Sequence, residues 1–146
     1  MVCLTPVARG STENPKRLLH GVHVLVVDDE RDPRELFRDV LVLAGARVTM
    51  AASAREALAA IEQEPPDVLV SDIMMPGEDG YWLIEAIRAA HRESWSRMRA
   101  LALTGDARRH SRDRVLNAGY DAHLSKPVSV DVLCTTVGRL AGRFET

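Results

Sequence analysis

From residue 21 onward, short apolar runs alternate with stretches of helical spacing. Residues 22–27, VHVLVV, are β-branched and almost continuously apolar, as in a strand buried on both faces. Asp32-Pro33-Arg34-Glu35 then carries helix-start signals: Asp32 as cap, Pro33 at the first helical position, Glu35 at the third. Leu36, Phe37, Val40, Leu41 and Ala44 recur at helical spacing, and Gly45 ends that helix. Residues 47–51 read as a second strand. Ser53-Ala54-Arg55-Glu56 is a capping box that opens a helix burying Ala57, Leu58 and Ile61, which Pro65-Pro66 closes. Residues 68–71 predict a third strand, and residues 77–80 a loop before a helix with Leu83, Ile84 and Ile87 inward. Residues 100–103 predict the fourth strand, followed by a helix of about ten residues that runs to Ala118 and stops at Gly119. Residues 121–124 predict the fifth strand. Ser129 caps a last helix with Val130, Leu133, Val137 and Leu140 on one face.

Five strand-then-helix units with short connections predict an α/β fold, a parallel sheet with helices on both faces. The expected architecture is a doubly wound, flavodoxin-like five-stranded sheet of order 2-1-3-4-5 with five helices. In such sheets the ligand site lies beyond the carboxyl ends of the strands.

The remaining segments are short. Residues 1–20 hold Pro6, Gly10, Ser11, Thr12 and Pro15 and read as a flexible leader or a linker. The domain is expected over residues 21–143, with 144–146 as a tail too short for an output domain. The 146-residue length suits one domain, and the 46% hydrophobic and 27% charged content is ordinary for a globular chain. No apolar run is long enough to span a membrane, and the first residues lack a signal-peptide pattern, so a cytoplasmic location is expected. Cys3 and Cys134 lie at opposite ends and make no metal spacing; Cys134 falls near the buried stripe of the last helix. The net charge of −2 gives no general reason to expect nucleic acid as the partner. Only Lys16 and Lys126 are lysines among the 19 basic residues, which makes Lys126 conspicuous.

The strand ends carry the candidate chemistry. The first strand runs into Asp28-Asp29-Glu30, the third into Asp72, the fourth into Thr104, and the fifth ends just before Lys126-Pro127. Carboxylates at one sheet edge repel: two at ~4 Å in an effective dielectric of ~20 cost roughly 4 kcal/mol. A hard divalent cation removes that cost, and an all-oxygen donor set without His or Cys favours Mg²⁺. Lys126 offers a point charge and Thr104 a hydroxyl donor to phosphoryl oxygens. A central carboxylate then acts as a nucleophile on phosphorus.

With VHVLVVDDE (22–30), DVLVSDIMMPGEDG (67–80), LALTG (101–105) and DAHLSKP (121–127) in this order, the chain resembles the receiver domains of two-component response regulators. The resemblance covers residues 21–143. It implies that Asp72 is the phosphoacceptor and that Asp28, Asp29, Asp72 and the backbone carbonyl of Met74 hold Mg²⁺. It implies that Thr104 and Lys126 bind the phosphoryl group and that the Lys126–Pro127 peptide is cis. Met75, Pro76 and Gly80 match the loop after the acceptor. The implied donor is a histidine kinase or phosphotransfer protein. The implied output face comprises the fourth helix, fifth strand and fifth helix, where Arg108, Arg109, Arg112 and Arg114 suit an acidic partner. Direct DNA binding is not expected from one short basic helix. A single-domain regulator and the C-terminal receiver of a hybrid sensor histidine kinase remain open.

Two positions depart from the family. His123 stands where a Tyr or Phe switch residue is usual; with Thr104 it forms the expected switch, and a histidine titrates near pH 6–7. Met74, two residues past the acceptor, is apolar and cannot orient a hydrolytic water. The native protein is therefore expected to lose its phosphoryl group more slowly than a Met74→Asn variant, which decay of the phosphoprotein measures. The same methionine argues against a Mg²⁺-dependent phosphatase with an Asp nucleophile, which needs an acid there. A non-phosphorylated interaction module is disfavoured by the intact set Asp28, Asp29, Asp72, Thr104 and Lys126. The chain is thus expected to accept a phosphoryl group and lose it again, rather than to turn over an external substrate as an enzyme.

Overall fold

A computed structural model describes residues 18–143; Cys3, most of the expected leader and the tail lie outside the described residues. The elements run β1 (His23–Val27), α1 (Arg31–Leu43), β2 (Arg47–Ala51), α2 (Ala54–Gln63), β3 (Val68–Asp72), α3 (Gly80–Ala89), α4 (Glu93–Ser96), β4 (Arg99–Thr104), α5 (Arg112–Ala118), β5 (Ala122–Ser125) and α6 (Val130–Leu140). The strands form one parallel sheet of order β2-β1-β3-β4-β5, as expected.

Alternate residues of the central strands face opposite layers. Val24, Val26, Val68, Val70, Leu101 and Leu103 pack under α1 and α6 with Phe37, Leu41, Leu133 and Val137. Leu25, Val27, Leu69, Ala100 and Ala102 face α2 to α5, meeting Ala57, Ile61, Leu83, Ile84, Ile87 and Val115. All five residues of β1 and all five of β3 are buried, which is why apolar residues run consecutively over 24–27 and 68–70. Residues 18–20, assigned to the leader from sequence, pack against the domain: Leu19 is fully buried and its N–H donates to the Ala44 carbonyl at 2.9 Å.

Three helical expectations change. Six helices are described rather than five, because α4 adds a single turn before β4. Its Trp95 is buried, with the Arg92 guanidinium 4.4 Å from the ring centroid. The first helix begins at Arg31, with Glu30 rather than Asp32 at the cap position. The Glu30 N–H donates to Asp28 Oδ1 at 2.9 Å, which turns the chain early, and Pro33 is tolerated because first-turn N–H groups need no helical partner. The helix before Gly119 has seven residues, not ten. Asp106 explains the loss: its Oδ1 accepts from the N–H groups of Arg108 (3.2 Å) and Arg109 (3.3 Å), holding a separate turn. The helix then starts afresh at Ser111, whose hydroxyl accepts from the Arg114 N–H.

Candidate functional site

Each acidic or basic group of the site sits at the carboxyl end of a strand: the aspartates at the buried β1 and β3, and Lys126 after the partly exposed edge strand β5. Asp28 follows β1 and is 1% exposed. Its Oδ1 accepts from the Glu30 N–H, and its Oδ2 lies 3.3 Å from Lys126 Nζ. Asp72 closes β3, and its Oδ1 lies 3.5 Å from the same ammonium. Asp28, Asp29 and Asp72 each present one oxygen within 4.8 Å of the others. The Lys126 N–H donates to the Thr104 carbonyl at 2.7 Å, fixing the lysine to the end of β4. The Lys126–Pro127 peptide is cis, as expected.

Asp29, Asp72 and Lys126, with Glu30, Met74, Gly105 and Asp106, line a cleft of about 260 Å³, and the buried Asp28 lies off its walls. Thr104 and His123 are not on its walls. Thr104 is fully buried, one position beyond the Leu103 that pairs with Asp72, and its hydroxyl accepts from the Asp106 N–H at 3.1 Å. That contact uses a lone pair and leaves the O–H free to donate. His123 lies on β5 with its Nε2 buried and without a hydrogen-bond partner. Burial, then the nearby Arg112, pushes its pKa below the ordinary histidine value.

Burial pushes the Asp72 pKa up to about 6; the Lys126 charge opposes this, and Asp28 and Asp29 add to it. A carboxylate ringed by two others in a largely dehydrated position is a cation site by its donor chemistry. The three oxygens are hard, no His or Cys intrudes, and Lys126 balances only one charge. The residues therefore fit Mg²⁺.

Sequence reasoning placed the charged groups and missed what braces them. Tyr120 is buried and donates its hydroxyl to the Gly80 carbonyl at 2.7 Å, tying the α5–β5 turn to the first residue of α3. Asp79 caps α3 by accepting from the Trp82 N–H at 2.9 Å. His110 is buried against Met74 and Tyr81. Nothing in local spacing marks Tyr120 or His110; both act across the fold.

Residues 24–138 match the family model for the response regulator receiver domain. The chain is 44% identical over 110 residues to an uncharacterised 14.6 kDa protein of Leptolyngbya boryana, covering 75% of this chain and 82% of that one. It is 35% identical over 142 residues to the virulence sensor protein BvgS of Bordetella bronchiseptica, covering 95% of this chain but only 12% of BvgS. It thus spans about an eighth of that sensor's length. Among solved structures, the receiver domain of the Francisella response regulator 1452 superposes with a TM-score of 0.77 at 29% identity, covering 86% of this chain and all of that one. Among the described residues no helix is long and apolar enough to cross a membrane. With the sheet order, the acidic cleft and the match over most of its length, the chain belongs to the response regulator receiver domain family of two-component signalling.

Proposed function

We propose that Asp72 accepts a phosphoryl group from the phosphohistidine of a histidine kinase or phosphotransfer protein, and that the phosphorylated form switches a partner-binding face. The observation that carries this reading is the convergence on one carboxylate: Asp72 sits within reach of Asp28, Asp29 and the Lys126 ammonium at a single strand edge.

Asp72 supplies the nucleophilic oxygen. Its new bond to phosphorus forms as the P–N bond of the donor breaks and the donor imidazole takes up a proton. Asp28, Asp29, Asp72 and the Met74 carbonyl are the residues assigned to Mg²⁺, which when bound neutralises charge on the transferring group. Lys126 holds one phosphoryl oxygen, and the Thr104 hydroxyl turns its remaining donor to another. Those contacts favour one arrangement of the β4 end, α5 and β5, a population shift that a partner reads. The exposed Arg108, Arg109 and Arg112 beside α5 suit an acidic surface there. The donor has to reach the opposite flank of the cleft. There α1 and α6 pack together and leave Leu36 (58%) and Val130 (56%) exposed near the ends that start from the carboxyl edge.

Similarity to BvgS supports a hybrid-kinase receiver, and similarity to the short Leptolyngbya protein supports a stand-alone regulator; the phosphoryl chemistry is common to both. A cytoplasmic location follows from that donor. Incubation with acetyl phosphate and Mg²⁺ is expected to add the mass of one phosphoryl group to the native protein and none to Asp72→Asn. Labelling of the variant, or labelling without divalent metal, would refute the assignment.

A further inference from the structure

Beside the cleft, four side chains from three segments stand in line. Met74, two residues past Asp72, is half exposed on the cleft wall. Its sulfur lies 3.1 Å from Nε2 of the buried His110. Nδ1 of that ring lies 3.0 Å from the Tyr81 hydroxyl. The Arg114 guanidinium sits 4.8 Å from the centroid of the Tyr81 ring.

The partners fix the tautomer. A thioether only accepts, so Nε2 carries the proton and donates to Met74 Sδ, and Nδ1 accepts from the Tyr81 O–H. The His110 main-chain N–H also donates to the Asp106 carbonyl at 3.0 Å, so backbone and both ring nitrogens are held. Met74, by contrast, has three rotatable bonds and no rigidity of its own. We infer that His110 is a positioning residue that pins the Met74 thioether at the mouth of the Asp72 cleft and so sets how long the phosphoryl group survives.

The inference rests on Asp72 being the phosphoacceptor. Loss of the phosphoryl group requires a water oxygen to bond to phosphorus as the P–Oδ bond breaks, releasing inorganic phosphate and restoring the Asp72 carboxylate. A pinned apolar side chain at the mouth keeps water from the face opposite that bond. A Met74 free to rotate admits it for part of the time. The chain of contacts reaches Arg114 on α5, so the lifetime is built into the packing of α3 and α5 and not into the cleft alone.

The test follows decay of phosphoprotein by intact mass after loading with acetyl phosphate and Mg²⁺ and desalting. His110→Ala is expected to decay at least threefold faster than native. His110→Gln retains a donor at similar reach and is expected to stay within twofold of native. In a Met74→Ala background, His110→Ala is expected to add nothing. Native-like or slower decay in His110→Ala, or the same threefold acceleration in the Met74→Ala background, overturns the inference. Tyr81→Phe keeps the ring and removes only the hydroxyl; it serves if His110→Ala fails to fold, with faster decay expected and unchanged decay overturning. A second measurement needs no phosphoryl donor: in methyl-¹³C-methionine spectra the Met74 methyl signal is expected to move toward its rotamer-averaged position in His110→Ala and Tyr81→Phe. An unchanged signal overturns the pinning. If the native protein takes up no phosphoryl group, the Asp72 assignment fails, and these spectra still decide whether His110 pins Met74.

Discussion

Asp72→Asn is expected to be more stable than the native protein at pH 8 in the absence of divalent cations, by about 2 kcal/mol. The cost it removes is that of holding a third carboxylate in a buried acidic cluster. Burial and the neighbouring aspartates raise the Asp72 pKa from 3.8 to about 6 despite Lys126. Its carboxylate form is therefore worse off in the folded chain than in the unfolded one. A raised folded pKa means that the unfolded state releases the proton first as pH rises. The contribution of Asp72 is thus fully present below about pH 4 and is lost as pH climbs through about 6. A shift of this size corresponds to about 3 kcal/mol at pH 8, and the burial of an asparagine amide offsets part of the gain. Urea denaturation of both proteins at pH 8 and pH 4 measures the difference. The gap should be wide at pH 8, nearly closed at pH 4, and narrowed at pH 8 by millimolar Mg²⁺ binding to the native chain. Equal stability at pH 8, or a gap that persists at pH 4, would show that Asp72 is not strained by its neighbours.

How much of this was legible beforehand follows from how local each signal is. The VHVLVV run and the apolar residues of β3 and β4 are buried on both faces, so hydrophobicity alone located the central strands. The acidic pair after β1, Asp72 at the end of β3 and Lys126 after β5 were readable because a parallel sheet brings all strand ends to one edge. The errors lie where side chains override pattern. Asp106 captures two N–H groups and shortens α5; the Glu30 N–H closes on Asp28 and starts α1 early. The single turn of α4 has no periodicity to detect, since it exists to place Trp95. The Asp106 N–H contact to the Thr104 hydroxyl is a turn contact that no spacing rule shows; it uses a lone pair and leaves the O–H that the Thr104 expectation needs. His123 was expected to titrate near neutrality, and burial beside Arg112 moves it down. The His110–Met74 contact joins residues 36 apart, and no local rule reaches that far.

Gly80→Ala is expected to destabilise the protein by about 3 kcal/mol. The resemblance of residues 67–80 marks Gly80 only as part of the loop after Asp72; the packing explains why a side chain is excluded. A Cβ at this position would stand 2.7 Å from the Asp72 carbonyl oxygen and 2.9 Å from the Ile73 Cα. Both are backbone atoms at the end of a fully buried strand, so neither yields by a rotamer change. Nor is α3 free to retreat: the Gly80 N–H donates to the Ile73 carbonyl at 2.9 Å, and the Gly80 carbonyl accepts from the buried Tyr120. The methyl group must push α3 away from β3 or twist the peptide that carries Asp72. Two other glycines separate this clash from a general cost of replacing glycine. Gly77 has φ +76° but nothing within 4 Å of a built Cβ, so Gly77→Ala is expected to cost about 1 kcal/mol of backbone strain. Gly105 has neither a positive φ nor a neighbour within 4 Å, so Gly105→Ala is expected to change stability by less than about 0.5 kcal/mol. Urea midpoints for the three variants rank the effects, and a Gly80→Ala midpoint close to that of Gly77→Ala would refute the clash. Because the strain falls on the peptide joining Asp72 to Ile73, Gly80→Ala is also expected to slow labelling by acetyl phosphate, whereas Gly77→Ala should leave it near the native rate. The close approach of α3 to the end of β3 is thus a condition for holding Asp72 in place, and glycine is the residue that permits it.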